Sequence, residues 1–172
     1  MTNQQLIIVG FMGSGKTTAA REVARRLNRA LIDLDELITI STGRSPAEII
    51  QQEGEPSFRE IETRLLGEAL KGNSPAVLAA GGGAWTGLQN RRLISEAGAW
   101  TVWLDAPFEL CWKRIQSNEE VRPLAPTMEA SEQLYQNRRP VYDLADLRIT
   151  ITEDDSVDDI AGKIVSVVGP AG

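Results

Sequence analysis

The chain has 172 residues, 42% of them hydrophobic and 24% charged, which suits one domain with a full core and argues against a disordered or low-complexity chain. It holds no histidine and one cysteine, Cys111, so His-based triads, His-ligated zinc and a disulfide framework are excluded together. A net charge of −6 argues against a broad basic surface for nucleic acid, and no apolar run reaches the roughly 18 residues of a membrane span.

Met1 to Gln5 carries no basic residue and leads into an apolar run, so no signal peptide is expected and the cytoplasm is the expected location. Leu6-Ile7-Ile8-Val9 reads as a strand buried on both faces. A helical pattern follows from Lys16 to Leu27, with Val23, Ala24 and Leu27 on one side. Further strands are predicted at Ala30–Ile32, Ala76–Ala80, Trp100–Leu104 and Leu147–Ile151. A helix through Leu37, Ile38 and Ile40 follows the second strand. Other helices are predicted from Pro46 to Gln52, Ser57 to Leu70, Leu88 to Ala97, Phe108 to Gln116, Glu129 to Arg139 and Val157 to Val168. Alternation of this kind implies right-handed crossovers, a mostly parallel sheet and helices on both faces. Ligands in such sheets bind outside the carboxyl ends of the strands. Those ends carry Gly10 to Thr17, then Asp33 and Asp35, then Gly81 to Gly83. Ser117 to Thr127 is polar and aperiodic and holds Pro123 and Pro126; it reads as an exposed loop of lid-like length.

Gly10-Phe11-Met12-Gly13-Ser14-Gly15-Lys16-Thr17 fits G-x-x-x-x-G-K-[ST]. Glycines let successive N–H groups turn inward around a phosphate, and the following helix adds the positive end of its dipole. Lys16 is then expected to reach the β/γ-phosphates of a nucleotide, and the Thr17 hydroxyl to ligate Mg²⁺. The strand before the loop and the helix after it are the context the motif requires. It points to nucleotide binding and is silent on the phosphate acceptor.

The acceptor side has two readings at each position. Asp33 with Glu36 three residues on is a capping-box-like helix start; alternatively Asp33 holds Mg²⁺ through water while Asp35 takes the proton of a substrate hydroxyl. Arg59 and Glu62 make a solvated i, i+3 pair, or Arg59 grips a substrate carboxylate. Gly81-Gly82-Gly83 is a flexible loop, or a close backbone approach to a ligand. Arg122 is a loop arginine, or a lid cation that closes on the phosphates. Arg138 and Arg139 complement a helix C-terminus by charge alone.

Taken together these pieces resemble shikimate kinase over nearly the whole chain. The matching segments run in the family's order: Gly10 to Thr18 (GFMGSGKTT), Asp33-x-Asp35, Gly54-Glu55 with Phe58-Arg59-x-x-Glu62, Gly81-Gly82-Gly83, Arg122-Pro123-Leu124, and Arg138-x-Pro140-x-Tyr142 with Ala145-Asp146. The resemblance implies a three-layer α/β/α fold with a five-stranded parallel sheet of order 2-3-1-4-5. It implies transfer of the ATP γ-phosphate to the 3-hydroxyl of shikimate, with Mg²⁺. Asp35 would bind the substrate hydroxyls and act as base, and Arg59 and Arg138 would clamp the carboxylate. Gly81, Gly82 and Gly83 would line the substrate. ATP would lie on Gly13, Ser14, Gly15, Lys16, Thr17, Thr18, Arg114 and Arg122, with Lys16 and Arg122 also serving catalysis. Thr17 and Asp33 would serve the metal. The expected protein is a single monomeric domain over 1–172, with a lid about 117–127 and only small-molecule partners. Two departures stand out: Ala125 follows Arg-Pro-Leu where a second leucine is frequent, and Ala80 precedes the glycines where Thr or Ser is common. A related acceptor such as an aminoshikimate, gluconate or a nucleoside monophosphate would keep the phosphate loop. A silent binding homologue would be expected to lack Lys16, Asp35 or Arg59, and all three are present.

Overall fold

The computed structural model describes residues 4–72, 74–118 and 123–169. Five parallel strands form one sheet in the order β2-β3-β1-β4-β5. They are β1 (Leu6–Val9), β2 (Ala30–Asp33), β3 (Ala76–Ala79), β4 (Trp100–Asp105) and β5 (Leu147–Thr150). Among the described residues eight α-helices connect and cover them: α1 (Lys16–Leu27), α2 (Leu34–Thr42), α3 (Pro46–Glu53), α4 (Glu55–Leu70), α5 (Leu88–Glu96), α6 (Phe108–Gln116), α7 (Met128–Tyr142) and α8 (Val157–Val168). A short 3-10 turn, Ala84–Thr86, precedes α5.

β1 is the centre because every side chain in it is apolar, as both of its faces require. Leu6, Ile7, Ile8 and Val9 are all at most 2% exposed, each contributing about 1.5–3 kcal/mol of burial. Leu6 pairs with both Val77 and Trp100, and Ile8 with both Ala79 and Val102. That register brings the carboxyl ends of β3, β1 and β4 to one edge, and the pairing Asp33↔Ala79 adds the end of β2. The chain leaves β1 toward β2 on one side and later crosses to β4 on the other, which opens the crevice where ligands bind in such sheets.

Two boundaries differ from the sequence reading in ways that matter. α4 begins at Glu55, two residues early, because Gly54 and Pro56 start it. α7 continues past Arg139 and through Pro140 to Tyr142. Proline forfeits one intrahelical bond, yet the final turn is held by packing, with Tyr142 only 1% exposed. Arg138 and Tyr142 therefore lie one turn apart on one helix face.

Candidate active site

The phosphate loop arches from β1 into α1. Gly13 has φ +77°, and a Cβ there would lie 2.6 Å from the Cys111 carbonyl oxygen on α6. Both the left-handed backbone and the close approach demand glycine. Gly13→Ala is expected to raise the KM for ATP at least tenfold with the acceptor KM little changed, measured by steady-state kinetics. Equal ATP affinity would show that the loop does not need this packing. Arg114 of α6 donates to the Gly13 carbonyl (3.2 Å), bracing the loop from behind. Lys16 donates to the Phe11 carbonyl (2.8 Å) and so spans the loop mouth.

Ser14 faces away from the cleft. Its side chain is fully buried, its Oγ has no partner, and its N–H donates to Phe11 O. It therefore supports the loop from beneath, whereas Gly13, Gly15, Lys16, Thr17 and Thr18 line a cleft of about 850 Å³ with Asp33, Asp35 and Gly82. Thr17 Oγ1 donates to Asp33 Oδ2 at 2.6 Å. Asp33 Oδ1 accepts from the N–H groups of Asp35 and Glu36, so Asp33 caps α2 as well. The cap reading of Asp33 is observed and leaves its other oxygen to Thr17, so it does not conflict with the site reading.

A second cleft of about 600 Å³ adjoins the first. Asp35, Met12, Gly81 and Gly82 border both. Its polar lining is Asp35, Arg59, Glu62 and Arg138, and its apolar wall includes Pro46, Ala47 and Ile50 of α3 and Phe58 of α4. The glycine loop is tightly built. Ala84 N–H donates to Gly81 O and Thr86 N–H to Gly83 O, which makes this an ordered turn and not the flexible loop of the alternative reading. A Cβ on Gly83 would lie 2.2 Å from Arg59 Nη2, and one on Gly81 would lie 2.9 Å from Asp35 Oδ1. The run of glycines thus lets two charged side chains lie against the backbone.

Arg59 and Glu62 are no solvated surface pair. Arg59 Nη1 meets Glu62 Oε2 at 2.8 Å, and the Glu62 side chain is 1% exposed. Glu55 takes the other side of the Arg59 guanidinium. The cause is the orientation of α4, which turns this face into the cleft. Burial pushes the Glu62 carboxyl above its ordinary range, with Asp35 adding to the rise, while Arg59 and Arg138 pull the other way. Folding thus favours protonated Glu62. The stability it contributes is complete below its ordinary value of 4.5 and is lost as pH rises through the raised value. Glu62→Gln is accordingly expected to gain stability relative to the wild-type chain between pH 4.5 and neutrality, read from urea midpoints. A relative loss over that range would mean that pairing with Arg59 outweighs burial.

Arg138 and Arg139 do not act as a pair of end charges. Arg138 is 7% exposed and borders the second cleft. Arg139 turns to the opposite side, where its guanidinium meets Asp105 at 2.5 Å and lies over the Trp103 ring. Of the lid, Pro123 and Leu124 border the second cleft, and Ala125 is 3% exposed; its stem is packed, contrary to a wholly exposed loop. Arg122 lies outside the described residues. The structure brings Asp35, Arg59, Gly81 to Gly83 and Arg138 together in one cleft, and the phosphate loop with Asp33 in the other. The apolar wall on α3 was missed: the sequence reading placed a helix from Pro46 to Gln52 and assigned none of its residues to a site.

The family model described as "Shikimate kinase" matches residues 12–169. A shikimate kinase of Cereibacter sphaeroides is 42% identical over 147 residues, 84% of this chain and 72% of that protein. One of Ruegeria pomeroyi is 34% identical over 96% of this chain and 85% of its own length. Among solved structures, shikimate kinase from Acinetobacter baumannii in complex with shikimate superposes with a TM-score of 0.89. It is 34% identical and covers 97% of this chain and 93% of that one.

Proposed function

The chain belongs to the shikimate kinase family, and from that premise we propose how its two clefts divide the family's reaction between them. The reaction is phosphorylation of the shikimate 3-hydroxyl by ATP, giving shikimate 3-phosphate and ADP, a step toward chorismate and the aromatic amino acids. The observation that carries the assignment is the meeting of the clefts at Asp35, Gly81 and Gly82. The phosphate-loop cleft takes ATP, and the Arg59–Arg138 cleft takes the acceptor. Asp35 stands where donor phosphorus and acceptor oxygen must approach.

Chemistry supports this division. Shikimate carries a carboxylate at one end and hydroxyls at the other. Arg59 and Arg138 offer charge-assisted donors to the carboxylate, and Asp35 offers an acceptor to a hydroxyl. Asp35 holds that hydroxyl in line with the γ-phosphate and takes its proton as the new P–O bond forms. Lys16 leaves the Phe11 carbonyl for the β/γ-phosphate oxygens and offsets the charge that spreads over them. Phosphoryl transfer relies on positioning and electrostatics more than on covalent help, so a chain without histidine can perform it. Arg122 is assigned to the lid, where it would meet ATP.

The residues present fit Mg²⁺. The Thr17 hydroxyl and Asp33 carboxylate, 2.6 Å apart beside the phosphate loop, are hard oxygen donors. Among the described residues there is no cluster of three or more carboxylates or thiols that could hold a metal, which suits an ion that keeps its waters and leans on substrate phosphates. Thr17 would ligate it directly, and Asp33 would hold one of its waters. When bound, the ion neutralises charge on the β- and γ-phosphate oxygens. Among the described residues no helix is long and apolar enough to cross a membrane, and we assign the chain as a monomeric single domain of the cytoplasm with a lid about 117–127. The test is a coupled assay of ADP release from Mg-ATP, with shikimate, gluconate or AMP as acceptor. Stimulation by shikimate alone is expected; equal stimulation by another acceptor, or none, would overturn the assignment of the second cleft.

A further inference from the structure

Tyr142 takes no part in the scheme above, yet its hydroxyl is aimed at the acceptor loop. The ring is 1% exposed, and the hydroxyl donates to the Gly82 carbonyl. The Arg138 guanidinium neighbours the same hydroxyl, and a Cβ on Gly82 would lie 3.4 Å from Arg138 Nη1. Tyr142, Arg138 and Gly82 thus form a closed triangle. Its polarity is fixed: a guanidinium only donates and a carbonyl only accepts. The tyrosine hydroxyl is the one member that can face both.

The triangle rests on a rigid base. The Tyr142 ring stacks on Trp103 with centroids 6.0 Å apart. Arg139 and Arg148 lie over the Trp103 ring at 5.0 and 4.7 Å, and both guanidiniums bond Asp105. The same last turn of α7 also holds the 3-10 turn that follows the glycine loop, where Trp85 Nε1 donates to the Val141 carbonyl at 2.8 Å.

We propose that Tyr142 is a positioning residue for the acceptor, holding the Gly82 peptide and the Arg138 guanidinium in their binding orientation. In a trans peptide the C=O and the next N–H point in opposite directions. Pinning Gly82 O toward the buried tyrosine therefore turns the Gly83 N–H the other way, away from the Tyr142 hydroxyl. Neither Gly82 nor Gly83 N–H donates to another described residue, so both remain available to a ligand. Burial pushes the Tyr142 hydroxyl up to about 12, which keeps it a donor across the working range of pH. The proposal rests on assigning Arg138 and the glycine loop to the acceptor. Shikimate dependence of the wild-type chain tests that assignment separately.

The experiment compares Tyr142→Phe with Trp103→Phe in the full chain. Tyr142→Phe keeps the ring and removes the hydroxyl. It is expected to raise the KM and calorimetric Kd for shikimate about tenfold, with the KM for ATP unchanged and kcat within about threefold. Trp103→Phe weakens the base under the ring but leaves the hydroxyl. It is expected to lower the melting temperature with a rise in shikimate KM clearly smaller than that of Tyr142→Phe. Unchanged shikimate affinity in Tyr142→Phe would overturn the proposal. So would a loss shared equally by ATP and shikimate, or an equal rise in shikimate KM in Trp103→Phe, since either would mean that packing alone is at work.

Discussion

Asp35→Asn is expected to lower kcat by about 10²–10⁴, the span of a lost general base, while the KM for ATP stays within a few fold. The asparagine side chain is isosteric, and Gly81 carries no Cβ, which would lie 2.9 Å from Asp35 Oδ1, to crowd it. It can still hydrogen-bond a hydroxyl, but it cannot accept the proton. The phosphate loop, with Lys16 and Thr17, is untouched, so ATP should bind as before. The size of the fall is informative in itself. In a loose transition state the nucleophile's proton can leave late, and the base then matters less. Steady-state kinetics with both substrates varied separates the cases. A fall of less than tenfold in kcat with a raised shikimate KM would make Asp35 a positioning group for the hydroxyl and would remove it as base.

Arg59→Ala is expected to raise the shikimate KM about 100-fold and to destabilise the chain. Charged hydrogen bonds are worth about 1.5–3 kcal/mol each, and a bidentate grip on a carboxylate loses two at once. The second effect follows from Glu62. Its side chain is 1% exposed, and its Oε2 pairs with Arg59 at 2.8 Å. Removing the cation leaves a buried carboxylate unpaired, at a cost of up to about 3–5 kcal/mol. The loss should fall below that ceiling, because a quarter of the Arg59 side chain is exposed and protonation of Glu62 offers relief. The double variant Arg59→Ala/Glu62→Gln separates the two effects. It should recover stability, measured by urea unfolding, and leave the shikimate KM high. Recovery of the KM with stability would mean that Arg59 serves the fold alone. Arg59→Lys should restore charge without the bidentate fork and fall between the two.

The alternation of strands and helices and the phosphate loop were legible along the chain because local rules write them, whereas the strand order 2-3-1-4-5 came from the family resemblance. A β-strand buried on both faces must be apolar throughout, as Leu6–Val9 is. A phosphate cradle must place glycines where the backbone turns left-handed, as at Gly13 and Gly15. The Asp33 cap was legible for the same reason, since cap and helix are neighbours in sequence. Resemblance to a family marked Asp35, Arg59, Gly82 and Arg138; by spacing alone Arg59 and Glu62 read first as a solvated pair, and a dipole-complementing helix end accounted for Arg138.

Tertiary structure decided the rest. Whether Arg59 and Glu62 face water or a cleft depends on how α4 is rotated against the sheet, and an i, i+3 spacing reads the same in both cases. Pro46, Ala47 and Ile50 make an apolar stripe that could pack on the core or line a ligand; the position of α3 at the cleft mouth makes it the second. Proline at 140 suggested that α7 stops at Arg139, yet burial of Tyr142 against Trp103 carries the helix one turn farther. That extra turn brings the tyrosine hydroxyl to a glycine carbonyl 60 residues away in the chain. Sequence determined which chemical groups the protein possesses and in which elements they sit. Their pairing across the sheet edge, and hence which charges are buried and which meet a substrate, is a property of packing between segments that no local pattern encodes.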